Sequence, residues 1–206
     1  MKQSSAAIPP ANPTESDMDT TMEAPNAWHA AMPDIAEDAM APSSFSLRRL
    51  RAERLTAAHL PVLRSMHENE RLMATLGGVR SDAETEAYLA RNLAHWTEHG
   101  FGLWILRDPG TDRVVGRAGL RSVTIEATDE VELVYALFPE FWGRGLATDA
   151  ARACVTIGRE WMGLSSVVAL ALPTHLASQR VLRKAALVPE REVVDGGSVR
   201  VLFRSD

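Results

Sequence analysis

Residues 132–151 read E-L-V-Y-A-L-F-P-E-F-W-G-R-G-L-A-T-D-A-A, and this stretch decides the fold. Its first seven residues alternate between two sets of side chains, a period of two that is typical of a strand. Pro139 cannot donate to a sheet ladder, so we expect the strand to end there. A turn with two glycines follows at 142–145, and the small residues after it recur on one face of a predicted helix.

This strand, turn and helix predict an anion-binding site. The first N–H groups of a helix have no partners within the helix, and the helix dipole adds positive charge at the same end. Arg144 brings a formal charge to the turn. We therefore expect a phosphate-bearing ligand at the start of this helix. The alternative is an ordinary strand-to-helix turn with incidental glycines.

The composition limits the classes of function. A net charge of −5 argues against a protein that binds nucleic acid through bulk positive charge. No apolar run approaches the roughly 20 residues of a membrane helix. Cys154 is the only cysteine, which excludes an internal disulfide and a site of several thiolates within one chain. We expect no nucleic-acid partner, no membrane partner and no metal.

Residues 1–44 differ from the rest of the chain. They hold six of the eleven prolines, with seven acidic residues and one basic residue, and show no sustained apolar period. Such a segment buries too little surface to offset its ordering entropy, which predicts an unstructured tail, read either as a docking arm or as a leader. It has neither the apolar region of a secretory signal nor an Arg-rich transit pattern, so we expect a cytoplasmic protein. Residues 45–206 are predicted to form a single domain.

The periodicities along 45–206 predict the order β-α-α-β-β-β-α-β-α-β-β, an α/β (α+β) arrangement with one mixed sheet. Besides the strand ending at Pro139, strands are predicted at 46–51, 101–107, 113–123, 167–172, 188–193 and 199–203. Helices are predicted at 56–69, 81–100, 146–162 and 175–185.

That order, with F-W-G-R-G-L-A-T-D-A-A at 141–151 and S-Q-R-V-L-R-K-A-A-L at 178–187, resembles the GNAT superfamily of N-acetyltransferases. It looks most like the branch that includes the ribosomal-protein alanine N-acetyltransferases. The superfamily writes its phosphate loop as Q/R-x-x-G-x-G/A; here Gly145 and Ala147 take the small-residue positions and Trp142 the leading one. The resemblance implies a mostly antiparallel sheet of about seven strands with helices on both faces. It also implies acetyl-CoA as cosubstrate.

The resemblance further implies which residues hold the cofactor. Backbone N–H groups of the glycine turn would cradle the pyrophosphate. The amide-rich pantetheine arm would pair with the exposed edge of the strand ahead of the turn, where that strand splays away from 167–172. His175 stands where the family has an asparagine that contacts this arm. The implied cofactor-binding residues are Ala136, Leu137, Phe138, Gly143, Arg144, Gly145, Leu146, Ala147, Thr148 and His175.

Acetyl transfer from a thioester requires a neutral amine, whereas a lysine-type amine with a pKa of about 10.4 is mostly protonated at neutral pH. The resemblance makes Glu132 the candidate base, acting through water, or else a carboxylate that only orients the substrate. It places Ser178 near the leaving thiolate, where the hydroxyl would help to protonate the sulfur; the alternative is helix capping. Tyr135 is expected to be core or substrate wall. Cys154 is expected to be packing, which favours direct attack in a ternary complex.

The resemblance therefore implies an N-acetyltransferase that uses acetyl-CoA and acts on a primary amine, either a protein N-terminus or a small-molecule amine. The acceptor is expected to contact the loop at 72–80 and the segment at 123–130. A homodimer is compatible with this assignment. The alternative is a CoA-binding regulatory module without catalysis, left open by His175 and by Ala186 and Leu187, which replace the usual Gly-Phe.

Overall fold

The computed structural model describes residues 41–205, which contain one eight-stranded sheet with helices on both faces. The strands are β1 (Ser44–Leu47), β2 (Leu50–Arg54), β3 (Leu103–Arg107), β4 (Val114–Ile125), β5 (Thr128–Leu137), β6 (Val168–Ala171), β7 (Leu187–Asp195) and β8 (Ser198–Ser205). The helices are α1 (Leu60–His67), α2 (Glu70–Met73), α3 (Asp82–His99), α4 (Leu146–Thr156) and α5 (Leu176–Lys184). The predicted mixed, mostly antiparallel sheet is confirmed, with one strand more than expected.

The additional strand comes from the stretch predicted as a single strand at 46–51. The chain reverses there, so that β1 and β2 form an antiparallel hairpin in which Leu47 lies opposite Leu50. Its two turn residues, Arg48 and Arg49, are not the glycine or asparagine that usually announces a two-residue hairpin. The prediction of one strand was therefore wrong. The reversal carries Arg49 toward the glycine turn.

The folded part also begins a few residues before 45. Ala41 is fully buried, and the indole nitrogen of Trp104 donates to the carbonyl of Pro42 at 2.9 Å. These contacts attach the start of β1 to the core. The predicted unstructured tail otherwise lies in residues 1–40, outside the described residues.

Helices α1 to α3 cover one face of the sheet. The helix predicted at 56–69 is a 3-10 turn at Ala57–His59 followed by α1, and the chain then restarts as α2, capped by the Asn69 side chain on the Leu72 N–H at 3.0 Å. For α3 the predicted Ser81 cap and the stop at Gly100 are both observed. No helix within residues 41–205 is long and apolar enough to cross a membrane.

Helices α4 and α5 cover the opposite face. The small residues predicted to share one side of α4 include Ala150, Ala151 and Cys154, all fully buried against the sheet. Small side chains let the helix axis approach the strands closely. The helix predicted to reach 162 changes to a π-helical turn at Ile157–Trp161.

The sheet is interrupted between its two halves. Strand β5 runs antiparallel to β4 over ten residue pairs, whereas its parallel pairing with β6 consists of one pair, Glu132 with Val168. Beyond that pair the two strands diverge, and the remainder of β5 has an unpaired edge that leads to the glycine turn. This divergence positions the candidate site.

Candidate active site

The glycine turn has the backbone geometry of an anion cradle. Gly143 and Gly145 both adopt left-handed conformations, with φ of 74° and 77°. The first helical hydrogen bond of α4 runs from the Asp149 N–H to the Gly145 carbonyl at 3.1 Å. The N–H groups of Leu146, Ala147 and Thr148 precede it and have no partner one turn back. The turn and helix start therefore present several backbone donors in one place.

Arg49 contacts both ends of this turn, a position that the sequence analysis did not predict. Its guanidinium donates to the Arg144 carbonyl at 2.7 Å and forms an ion pair with Asp149 at 2.8 Å. A cavity beside the turn is lined by three arginines, Arg48, Arg49 and Arg144, and by one acid, Asp108. Arginine outnumbers acid in this lining even though Asp149 pairs with Arg49, which favours an anion at the helix start. The adjacent arginines at 48 and 49 were the available signal, but only the hairpin brings them here.

The residues of β5 whose backbone groups face its open edge are not all the ones that were predicted. The Phe138 N–H donates to the Val115 carbonyl at 2.9 Å and so points toward β4. Backbone direction alternates along a strand, so Ala136 also faces β4, whereas Tyr135 and Leu137 face the open edge. Of the three predicted residues, Ala136, Leu137 and Phe138, only Leu137 therefore directs its backbone N–H and C=O toward the open edge. Its carbonyl already accepts from the Trp142 indole at 2.6 Å. The backbone groups of Tyr135 and the Leu137 N–H remain for an amide-bearing ligand.

Glu132 lies in β5 on the face covered by α1 to α3. It is 4% exposed, and its Oε2 accepts from Arg121 Nε at 2.7 Å and Nη2 at 2.6 Å. Burial raises the pKa of the Glu132 carboxyl, and Arg121 opposes that rise. Its Oε1 has no hydrogen bond from any residue in 41–205. Arg121, which lies opposite Glu132 in β4, could not be assigned before the strand register was known.

Ser178 and Tyr135 meet on the other face of the sheet. The Tyr135 hydroxyl lies 2.8 Å from the Ser178 Oγ and 3.2 Å from its carbonyl oxygen. Burial raises the pKa of Tyr135 to about 12, so the phenol stays protonated. His175, at the start of α5, is half-buried; burial lowers its pKa, which favours the neutral ring. Thus Glu132 and Ser178 lie on opposite sides of the β5 edge.

Cys154 takes no part in this arrangement. It is fully buried in α4, and burial raises the pKa of its thiol to about 12. A protonated, inaccessible thiol does not react.

We expect a chromogenic disulfide reagent to label no thiol in the native protein and one thiol per chain after unfolding. The variant Cys154→Ala should retain turnover. Rapid labelling of the native protein would contradict this expectation.

Comparisons with known proteins found a related sequence and similar folds. The uncharacterized protein YkkB of Bacillus subtilis (strain 168) is 29% identical over 116 residues, which cover 56% of this chain and 67% of YkkB. A GnaT-family acetyltransferase from Bordetella pertussis has a TM-score of 0.70 at 22% identity, covering 79% of this chain and 99% of that chain. RimL, a ribosomal α-N-protein acetyltransferase solved in complex with coenzyme A, has a TM-score of 0.65 at 16% identity, covering 77% and 94%. At these identities the two solved structures show the fold.

Membership of the family rests on a longer match. Residues 49–188, well over half of the chain, match the model of the acetyltransferase (GNAT) domain. The matched region contains the glycine turn, Glu132 and Ser178. The chain therefore belongs to the GNAT family and is an N-acetyltransferase.

Proposed function

We propose that the protein transfers an acetyl group from acetyl-CoA to a primary amine by direct attack of the amine within a ternary complex. The observation that carries this proposal is the divergence of β5 and β6 beyond the pair of Glu132 and Val168. It leaves a slot that ends at the glycine turn. A base candidate lies on one side of this slot and a hydroxyl pair on the other, so two substrates can meet between them.

The residues around the slot fit coenzyme A. The N–H groups at the start of α4, with the guanidinium groups of Arg49 and Arg144, would hold the pyrophosphate. The free backbone groups of Tyr135 and Leu137 would pair with the amides of the pantetheine arm. His175 would border that arm as a neutral ring. When bound, the cofactor supplies the acetyl group as an activated thioester.

On the acceptor side, Glu132 is the base of this proposal. Arg121 holds Oε2 through two bonds and fixes the orientation of the carboxylate, which leaves Oε1 to accept a proton through water. A carboxyl whose pKa is raised by burial is a stronger base than an exposed one. Proton removal leaves the amine neutral and able to attack.

On the thiol side, Ser178 is the proton donor of this proposal. When the Tyr135 hydroxyl donates to Ser178 Oγ, the serine proton is free to point into the slot toward the departing sulfur. The phenol is a reliable donor because it stays protonated at every working pH. Tyr135 is thus a positioning residue for Ser178.

We expect Tyr135→Phe to lower kcat roughly three- to tenfold, the effect of one lost hydrogen bond, with the KM for acetyl-CoA unchanged. Ser178→Ala should lower kcat further, and Tyr135→Phe should then add nothing, because both act through one hydroxyl. A steady-state double-mutant cycle measures this coupling. Additive losses would show that the tyrosine does not act through Ser178.

The function is tested by thiol release from acetyl-CoA with a panel of amines that includes peptide N-termini and small amines. Product detection by mass spectrometry would confirm N-acetylation. Intersecting initial-velocity lines are expected for a ternary complex, whereas parallel lines would indicate a covalent acetyl-enzyme and overturn direct attack. Calorimetric binding of CoA without turnover of any amine would instead favour a regulatory module.

A further inference from the structure

Two arginines that the proposed function does not use, Arg80 and Arg117, lie on the same sheet face as Glu132. Arg117 projects from β4 and is 6% exposed, and Arg80 ends the loop between α2 and α3. Their guanidinium carbons lie 5.0 Å and 4.9 Å from the centroid of the Tyr88 ring. We call Arg80, Tyr88 and Arg117 the Arg117 site.

The Arg117 site has no counter-ion among the residues that the structure describes. The Nε of Arg117 is buried without a hydrogen-bond partner, and neither arginine forms an ion pair with any residue in 41–205. Glu84, the acid that interacts with Arg80 at longer range, has its carboxylate bound by the Ser81 N–H and hydroxyl at 2.8 Å and 2.7 Å. By contrast, Arg121 on the same strand is fully paired with a carboxylate.

His67 fixes Arg80 without compensating its charge. The imidazole Nε2 lies 3.1 Å from Arg80 Nη1, and Nδ1 lies 2.9 Å from the Thr85 hydroxyl. Burial lowers the pKa of His67 to about 4, and the charges of Arg80 and Arg117 lower it as well. The ring is therefore neutral, accepting from Arg80 and donating to Thr85. One of the two guanidinium groups is thus held in place by a side chain that provides no negative charge.

A buried guanidinium without an anion is unfavourable unless a ligand supplies one. The position of Arg117 relative to Glu132 indicates which ligand would supply the negative charge. Arg117 lies opposite Ala136 in the β4–β5 ladder and Arg121 lies opposite Glu132, so both arginines project on the face of the base candidate. Their positions along β4 differ by four, which corresponds to about 13 Å of strand.

We propose that the Arg117 site binds a carboxylate of the acceptor, so that the preferred acceptor is an amine carrying a carboxylate several bonds from its amino group. This inference rests on the proposed function and names its substrate class. The bidentate geometry of a guanidinium matches a carboxylate, and Arg80 provides a second donor group. The carboxylate would belong either to a small amino acid or to an acidic side chain near a peptide N-terminus.

Matched acceptors test the inference and separate the two sources. One pair is ω-aminohexanoate and its amide; the other is the peptide amides Ala-Gly-Glu-Gly and Ala-Gly-Gln-Gly. In at least one pair we expect kcat/KM to favour the carboxylate roughly 30- to 1000-fold. Arg117→Met should reduce this ratio to near unity. Arg191→Met is the matched control: the same change at a side chain that is 43% exposed and paired with Glu126, and it should keep the ratio.

A binding measurement makes the test independent of turnover. Arg117→Met removes an unpaired buried charge, so its melting temperature should equal or exceed that of the wild type. The preferred carboxylate should raise the melting temperature of the wild type and not of this variant.

The outcomes distinguish the two proposals. Turnover with equal kcat/KM for both members of each pair would overturn the carboxylate site and leave the acetyltransferase proposal intact. An equal loss of activity toward both members of a pair in Arg117→Met would also overturn it, because the preference for the carboxylate would then not depend on this arginine. Stabilisation of the wild type alone by the carboxylate, with no amine acetylated, would support the site while refuting the proposed reaction.

Discussion

Gly145→Glu is expected to abolish binding of acetyl-CoA. The new side chain would stand at the start of α4, where its carboxylate would meet the pyrophosphate. A like charge about 4 Å away at a partly exposed site costs about 4 kcal/mol, which corresponds to roughly a thousandfold loss of affinity. The carboxylate would also attract Arg49, because a Cβ at position 145 would lie only 3.2 Å from its Nη2. Isothermal titration with CoA measures the loss.

Gly163→Glu is the matched control for this variant. Gly163 has φ of 66°, close to the 77° of Gly145, and a Cβ there would meet no atom within 4 Å. Both substitutions therefore impose the same left-handed strain of roughly 1–2 kcal/mol and the same charge. Only the change at 145 should affect CoA affinity. Retained affinity in Gly145→Glu would overturn the assignment of the phosphate site.

Glu132→Gln is expected to lower kcat/KM for the amine by roughly two to four orders of magnitude, the contribution of a general base. The amide keeps the volume of the side chain and a hydrogen bond to Arg121, so the fold should persist. Steady-state kinetics with saturating acetyl-CoA measures the effect. Glu86→Gln is the control, since the Glu86 side chain is 56% exposed and paired with Arg64, and its neutralisation should leave kcat/KM unchanged.

The pH profile identifies the role of Glu132. A base must be ionised, so activity should fall as the pH drops through the pKa of Glu132, which burial raises above the ordinary range of a glutamate. This acidic limb should disappear in Glu132→Gln. A loss confined to the KM of the amine, with the limb retained, would show that the carboxylate only orients the acceptor.

Local patterns predicted much of the scaffold. The strand, glycine turn and small-residue helix at 132–151 can be identified from sequence, because residue periodicity and backbone permissiveness are properties of neighbouring residues. The Ser81 cap of α3 could be predicted for the same reason. The β1–β2 hairpin could not, since Arg48 and Arg49 lack the chemistry that marks a tight turn.

The partners of the candidate site residues follow from the strand register and could not be predicted from the sequence pattern. Glu132 and Ser178 were identified by resemblance, but their partners Arg121 and Tyr135 follow from which residues lie opposite one another. The direction of backbone groups at the edge of β5 likewise depends on its pairing with β4. That pairing assigns the edge to Tyr135 and Leu137 rather than to Ala136 and Phe138.

The sequence by itself therefore determined the family and the glycine turn, and it supplied the candidate acid and base, because these are encoded in contiguous motifs. Tertiary structure decided which charges are compensated. Arg49 is brought to the turn, Arg121 to Glu132, and Arg117 into a buried position where no carboxylate of residues 41–205 pairs with it. Ion pairing and burial depend on separations in space between residues distant in the chain, and no local period records them.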